Sequence, residues 1–271
     1  METIIENKKG INFRQRIKEL NDYRELLLTL AYRDFRVKYA QTILGLLWAI
    51  IEPLFSAIIL SVIFNKIAGV NTFGINPVLF GLTGMMVWNY FANVIHQGSN
   101  SLILAQNMVK KIYFPRIIVP ASKAIGSLPD LLITIVFTLI FYFISFDEIT
   151  VNLLFLLLFI VMTIIISLSL AIWFSAMNIR YRDFQHIVPF VTRIGLFLTP
   201  VAYSSFEIPE NYRWIFFLNP LTGVIEAIRW SMFNIDVDWG LISISLLVAI
   251  FLLFTGFLYF NKLEKSIADI I

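Results

Sequence analysis

Cysteine is absent from this sequence, which excludes a disulfide framework and any thiolate metal site. Histidine is almost absent, with His96 and His186 the only two in 271 residues. Charge is scarce, at 14% of the chain against about 25% in ordinary soluble domains. The net charge of only +3 argues against a nucleic-acid partner. No G-x-x-x-x-G-K-[ST] phosphate loop occurs, so the chain does not hydrolyse ATP by that route. No internal repeat is visible, which gives no support to the inverted-repeat plan of many secondary transporters. The first 30 residues are polar and charged and show no cleavable signal peptide.

What the chain has in abundance is hydrophobic side chains, 59% of the total, with a mean hydropathy of +0.81. A soluble fold of that composition lacks the polar residues to cover its surface, so the sequence predicts an all-α integral membrane protein. A spanning helix needs about 20 mostly apolar residues. Six runs qualify, at roughly 42–64, 77–105, 117–145, 152–177, 186–204 and 240–260. The second is long for one straight span, which predicts tilt or a break. Placing the N-terminus in the cytoplasm puts 18 Lys and Arg inside and 3 outside (Lys66, Arg213 and Arg229). That asymmetry predicts six transmembrane helices with both termini cytoplasmic.

Residues 1–12 read as a polar tail. Over 13–30, Phe13, Ile17, Leu20, Tyr23, Leu27 and Leu30 recur at steps of three and four, with Arg14, Arg16, Lys18, Asp22 and Arg24 between them. This predicts a basic amphipathic helix, lying at the membrane interface or packed on a partner. The segment 13–41 leads into the six-span body, 42–271.

Several stretches are poor lipid-facing helix. In YRDFRVKYAQTILGLLWAIIEPL, residues 32–54, Arg33, Arg36 and Lys38 are either positive-inside anchors or attractants for an anionic head group. Glu52 falls about 15 Å into the first span, where a carboxylate must face protein or a wet cavity. Pro53 beside it removes a backbone hydrogen bond. In the second span, HQGSNS at 96–101 suggests a channel face or a close helix contact. NMVKKIYFPRIIVP at 107–120 is a short loop whose Lys110, Lys111, Tyr113, Phe114, Pro115 and Arg116 exceed what a turn requires. Exposed aromatics beside basic residues suit a protein contact. MNIRYRDF at 177–184 is a second basic, aromatic loop. The segment 205–239 is apolar yet broken at Asn219-Pro220 and Gly223, which predicts two short re-entrant helices before the last span. Glu226 and Arg229 are three apart there and positioned to pair. Trp48, Phe55, Trp88, Tyr90, Phe91 and Trp173, with Glu52 and His96, are candidates to line a passage. No acid–base or metal cluster is apparent, so the expectation is a non-enzyme with neither catalytic residues nor a metal.

The ordered set YRDFRVKYAQTILGLLWAIIEPL, NMVKKIYFPRIIVP, NIRYRDF and FFLNPLTGVIEAIRW resembles the membrane permease of ABC transporters that export polysaccharides, namely the O-antigen, teichoic acid and capsule exporters. The resemblance covers residues 20–270. It implies a homodimer of permeases with two ATP-binding subunits, in a bacterial inner membrane. ATP and Mg would be bound by the partner, with no cofactor in this chain, and the substrate would be a lipid-linked glycan. By the same resemblance, Lys110 to Arg116 form the ATPase-coupling element within 106–117. Arg33, Arg36 and Lys38 belong to a substrate gate, and Asn219, Pro220, Glu226 and Arg229 to an external gate within 205–238. The rivals are an ABC permease for a drug or lipid, a membrane-bound transferase, and a secondary transporter using Glu52 and Asp130.

Overall fold

The computed structural model describes residues 13–40, 42–146 and 150–270, with side chains described from Lys18 to Glu264. The expected tail at 1–12, the Phe13, Arg14, Arg16 and Ile17 side chains and Lys265 lie outside that description.

Helices α1 (Phe13–Asp22) and α2 (Arg24–Tyr39) meet at Tyr23, so the amphipathic stretch is interrupted there and α2 runs on through residue 30. Leu20, Tyr23, Leu26 and Leu27 pack against a buried cluster that contains Leu30, Phe114, Phe260 and Leu263. Lys18, Asp22 and Arg24 face outward. The apolar stripe thus lies on the chain's own core.

Among the described residues, five helical stretches are long and apolar enough to cross a membrane: Gly45–Ile67, Pro77–Leu104, Ile118–Ser145, Val151–Arg180 and Trp239–Glu264. The first contains α3 (Trp48–Ser61), which passes through Pro53. The second is α4 (Pro77–Leu104), one unbroken helix. Asn76 caps it by accepting from the Val78 N–H, and Pro77 occupies the first turn, where its missing N–H costs nothing. The third is two helices, α6 (Ile118–Gly126) and α7 (Leu128–Ser145), jointed at Ser127 ahead of Pro129. The fourth ends in α8 (Leu156–Arg180). The run expected at 186–204 forms the shorter α9 (Phe184–Leu198). Its 15 residues reach about 22 Å, less than the ~30 Å hydrocarbon core. Then come α10 (Glu210–Phe216), α11 (Pro220–Phe233) and α12 (Trp239–Ile270).

α4 is the axis of the molecule. In its most apolar window 78% of residues are buried, against 17–39% in the other four spans. Small residues let its neighbours approach. A Cβ on Gly98 would come within 2.6 Å of Ala171 Cβ on α8, and one on Gly84 within 2.3 Å of the Val201 carbonyl oxygen. Ser99 and Ser101 are buried, each returning its hydroxyl to a carbonyl of its own helix. Asn178 Nδ2 on α8 donates to the Ser99 carbonyl and to Asn100 Oδ1. Much of HQGSNS therefore serves a close contact between helices, with His96 on the exposed side.

Candidate functional site

Three regions carry most of the polar and aromatic residues that plain spans do not need. The first follows α4 at the end rich in Lys and Arg. Helix α5 (Gln106–Lys111) turns the chain, and Ile112 is extended. Lys110, Lys111, Ile112 and Tyr113 project outward, Tyr113 with 89% of its surface exposed. Phe114 does the opposite. It is 4% exposed, packed in the cluster formed with α2 and α12. The expectation of an exposed aromatic pair is corrected there. A phenyl ring has no polar handle, and an apolar floor lies directly beneath it. Pro115 and Arg116 are half-buried. The Arg116 N–H donates to Glu264 Oε1 at 2.9 Å, and its Nη1 donates to the Glu264 carbonyl at 2.8 Å. The predicted contact set thus divides into an outward face and an inward anchor. Arg180, Tyr181, Arg182 and Asp183 on the neighbouring loop are exposed.

The second region is the junction of α2 with α6 and α7. Arg33 Nη2 donates to Asp34 Oδ1 at 2.9 Å. Lys123 on α6 binds Asp34 Oδ2 at 2.5 Å, and Lys38 binds Asp130 Oδ2 on α7 at 2.5 Å. The Tyr39 hydroxyl donates to Asp130 Oδ1. Burial, then this hydrogen bond, pushes the Tyr39 phenol above its ordinary value of 10. Arg36 is exposed, its guanidinium 5.8 Å from the Tyr32 ring centroid. Of the three expected gate cations, Arg33 and Lys38 are engaged by carboxylates of this chain, and Arg36 stands exposed beside Tyr32. Glu52, exposed on α3, borders with Lys38, Tyr39, Asn89, Asn93 and Asp130 a niche of about 30 Å³, room for about one water.

The third region is the hairpin of α10 and α11 at the opposite end. Asn219 caps α11 by accepting from the Leu221 N–H, and Pro220 is its first residue. Asn219 Nδ2 donates to Thr199 Oγ1 at 2.7 Å. Glu226 and Arg229 pair at 3.4 Å, 1% and 0% exposed. The Glu226 carboxylate accepts from the Ser205 N–H at 2.8 Å, while Arg229 donates to the Val201 and Tyr203 carbonyls at 2.6 and 2.8 Å. The pair stitches α11 to the turn after α9. A buried ion pair needs such extra hydrogen bonds to offset its desolvation.

The remaining candidates separate by exposure. Trp48 and Phe55 on α3 are exposed. Trp88, Tyr90 and Phe91 are buried within the chain, at 6%, 3% and 9%. Tyr90 donates to the Ala124 carbonyl. Trp88 and Phe91 border an apolar groove of about 460 Å³ between α4, α8, α9 and α10. Trp173 is half-buried against Phe174 and Tyr259. Among the described residues, no three His, Cys, Asp or Glu side chains converge as metal ligands.

The partners the sequence reading missed include Glu264 for Arg116, Lys123 for Asp34, Asp130 for Lys38, and Phe80 under Arg229. Each is far along the chain from its partner, and no local spacing signals it.

The ABC-2 type transporter family model matches residues 25–233. An O-antigen export system permease protein of Klebsiella pneumoniae, RfbA, is 30% identical over 91% of this chain and 95% of its own. The Myxococcus xanthus protein of the same description is 23% identical over 78% and 81%. The polysialic acid transport protein KpsM of Escherichia coli is 26% identical over 88% and 93%.

Proposed function

We infer, because the chain belongs to the ABC-2 type transporter family, that it is the membrane permease subunit of an exporter that moves a polysaccharide across a bacterial inner membrane. The observation that carries the substrate class is the near full-length similarity to O-antigen and polysialic acid permeases. The chain is a multi-pass transport subunit with both termini in the cytoplasm. Separate ATP-binding subunits hold ATP and Mg, and two permeases pair around the passage. The outward face of Lys110, Lys111, Ile112 and Tyr113 seats on the ATPase, supported by its exposure and by the neighbouring basic loop at 180–183. Arg36, with Lys38 and Arg33, receives the phosphates of a lipid-linked glycan of O-antigen, teichoic acid or capsule type. The hairpin at 210–233 closes the external mouth. Exposed Trp48, Glu52, Phe55 and His96 face the passage, where a carboxylate meets water and aromatic faces stack on sugar rings.

Depletion of the protein tests this reading. Accumulation of lipid-linked glycan on the cytoplasmic side is the expected result. Unchanged surface glycan with no accumulation would overturn it and leave a drug or lipid as the cargo.

A further inference from the structure

Helix α12 has two ends that touch two different parts of the proposed machine. At the basic end, Glu264 is 8% exposed and takes both the N–H and the Nη1 of Arg116. Phe260 and Leu263, one turn or less away, share a buried cluster with Phe114. At the other end, Ser245 is 2% exposed, and its hydroxyl donates to the Phe217 carbonyl at 2.7 Å and the Asn219 carbonyl at 3.3 Å. A Cβ on Gly223 of α11 would come within 2.6 Å of Ser245 Cβ, so hairpin and strut touch with no slack.

Between those ends α12 is one uninterrupted helix without proline. Ser245 and Glu264 are about 28 Å apart along its axis. An α-helix resists axial compression through its hydrogen-bond ladder, so a shift at one end arrives at the other. The alternative routes are less free. The third span is jointed at Ser127, and α4 is gripped on nearly all sides as the fixed axis. α12 has only 17% of its apolar window buried, so most of its flank lies outside this chain's own packing, with its close approach to α8 at Gly256.

We propose that Glu264 is the positioning residue that passes movement of segment 106–117 into α12, and that α12 carries it as a strut to the 210–233 hairpin. This rests on the reading that a partner ATPase drives segment 106–117. The segment then moves the hairpin from inside the same chain, and the two ends of the passage are linked mechanically.

The test uses the full transporter with its ATPase in lipid nanodiscs. The chain has no cysteine, so Tyr212→Cys on the exposed face of α10 and Ile67→Cys at the end of the first span give two label positions. Pulsed spin-label distances are compared without nucleotide and with ATP trapped by vanadate. A distance change in the otherwise unaltered protein is expected. With Glu264→Ala the change disappears and glycan export falls about tenfold while ATP hydrolysis continues. Glu264→Gln keeps an acceptor oxygen for the Arg116 N–H and restores both. Persistence of the distance change in Glu264→Ala overturns the proposal. ATP hydrolysis with no hairpin movement in the unaltered transporter overturns the underlying coupling reading instead. If Glu264→Ala does not assemble, Ser245→Ala interrupts the same route at its far end. It is expected to lose the distance change, and its retention there overturns the strut.

Discussion

Arg229 lays its guanidinium 3.7 Å from the centroid of the Phe80 ring and pairs with the Glu226 carboxylate at 3.4 Å. The charge is thereby held between α4 and α11 with no exposed surface. Removing one partner strands the other in an apolar surround. Arg229→Met is expected to cost about 3–5 kcal/mol, and Glu226→Gln combined with Arg229→Met less than the sum of the two single changes. Thermal unfolding of the detergent-purified protein measures both.

Tyr113 and Phe114 are adjacent in sequence and opposite in environment. Phe114→Ala empties a buried site and is expected to cost about 3–5 kcal/mol of stability. Tyr113→Ala changes an exposed side chain and leaves stability within about 0.5 kcal/mol. It is Tyr113→Ala that should weaken capture of the ATPase subunit, read by co-purification. Normal capture in that variant counts against the outward face as the ATPase seat.

Tyr39 gives the junction of α2 and α7 a pH limit. Its folded value is raised above the ordinary 10, so the folded chain keeps a proton that the unfolded chain gives up. The stabilisation from this group is complete below pH 10 and is lost as pH rises above it. Tyr39→Phe removes that dependence. Stability measured from pH 8 to 11 should fall less steeply at the alkaline end in the variant than in the unaltered protein.

Gly84 faces backbone, not a flexible side-chain tip. Gly84→Ala sets a methyl against the Val201 carbonyl and is expected to cost about 1–3 kcal/mol. Gly69, in open space but at φ +70, responds through strain alone. Parallel melts of the two alanine variants distinguish crowding from strain.

Much of this architecture is legible in the sequence because hydropathy and local spacing report it. The long spans follow apolar runs, the hairpin break follows Asn219-Pro220, and the Glu226–Arg229 pair follows a three-residue step. The inward turn of Leu20, Tyr23, Leu27 and Leu30 follows helical periodicity. What stayed hidden is set by tertiary proximity. Nothing local tells Phe114 that α12 lies below it, or joins Arg116 to Glu264. The aromatics of α4 look like passage walls in sequence because lipid, core and lumen all favour the same residue types. Only burial separates them.

α9 is the short member among the apolar helices, with Phe190, Val191, Ile194, Phe197 and Leu198 all exposed. About 22 Å of helix cannot match about 30 Å of acyl chain, so lipids along its flank must thin or the helix must be pulled inward. This element lies beside the groove. The length of α9 is thereby set against bilayer thickness, and its end leads into the turn that Arg229 ties to α11.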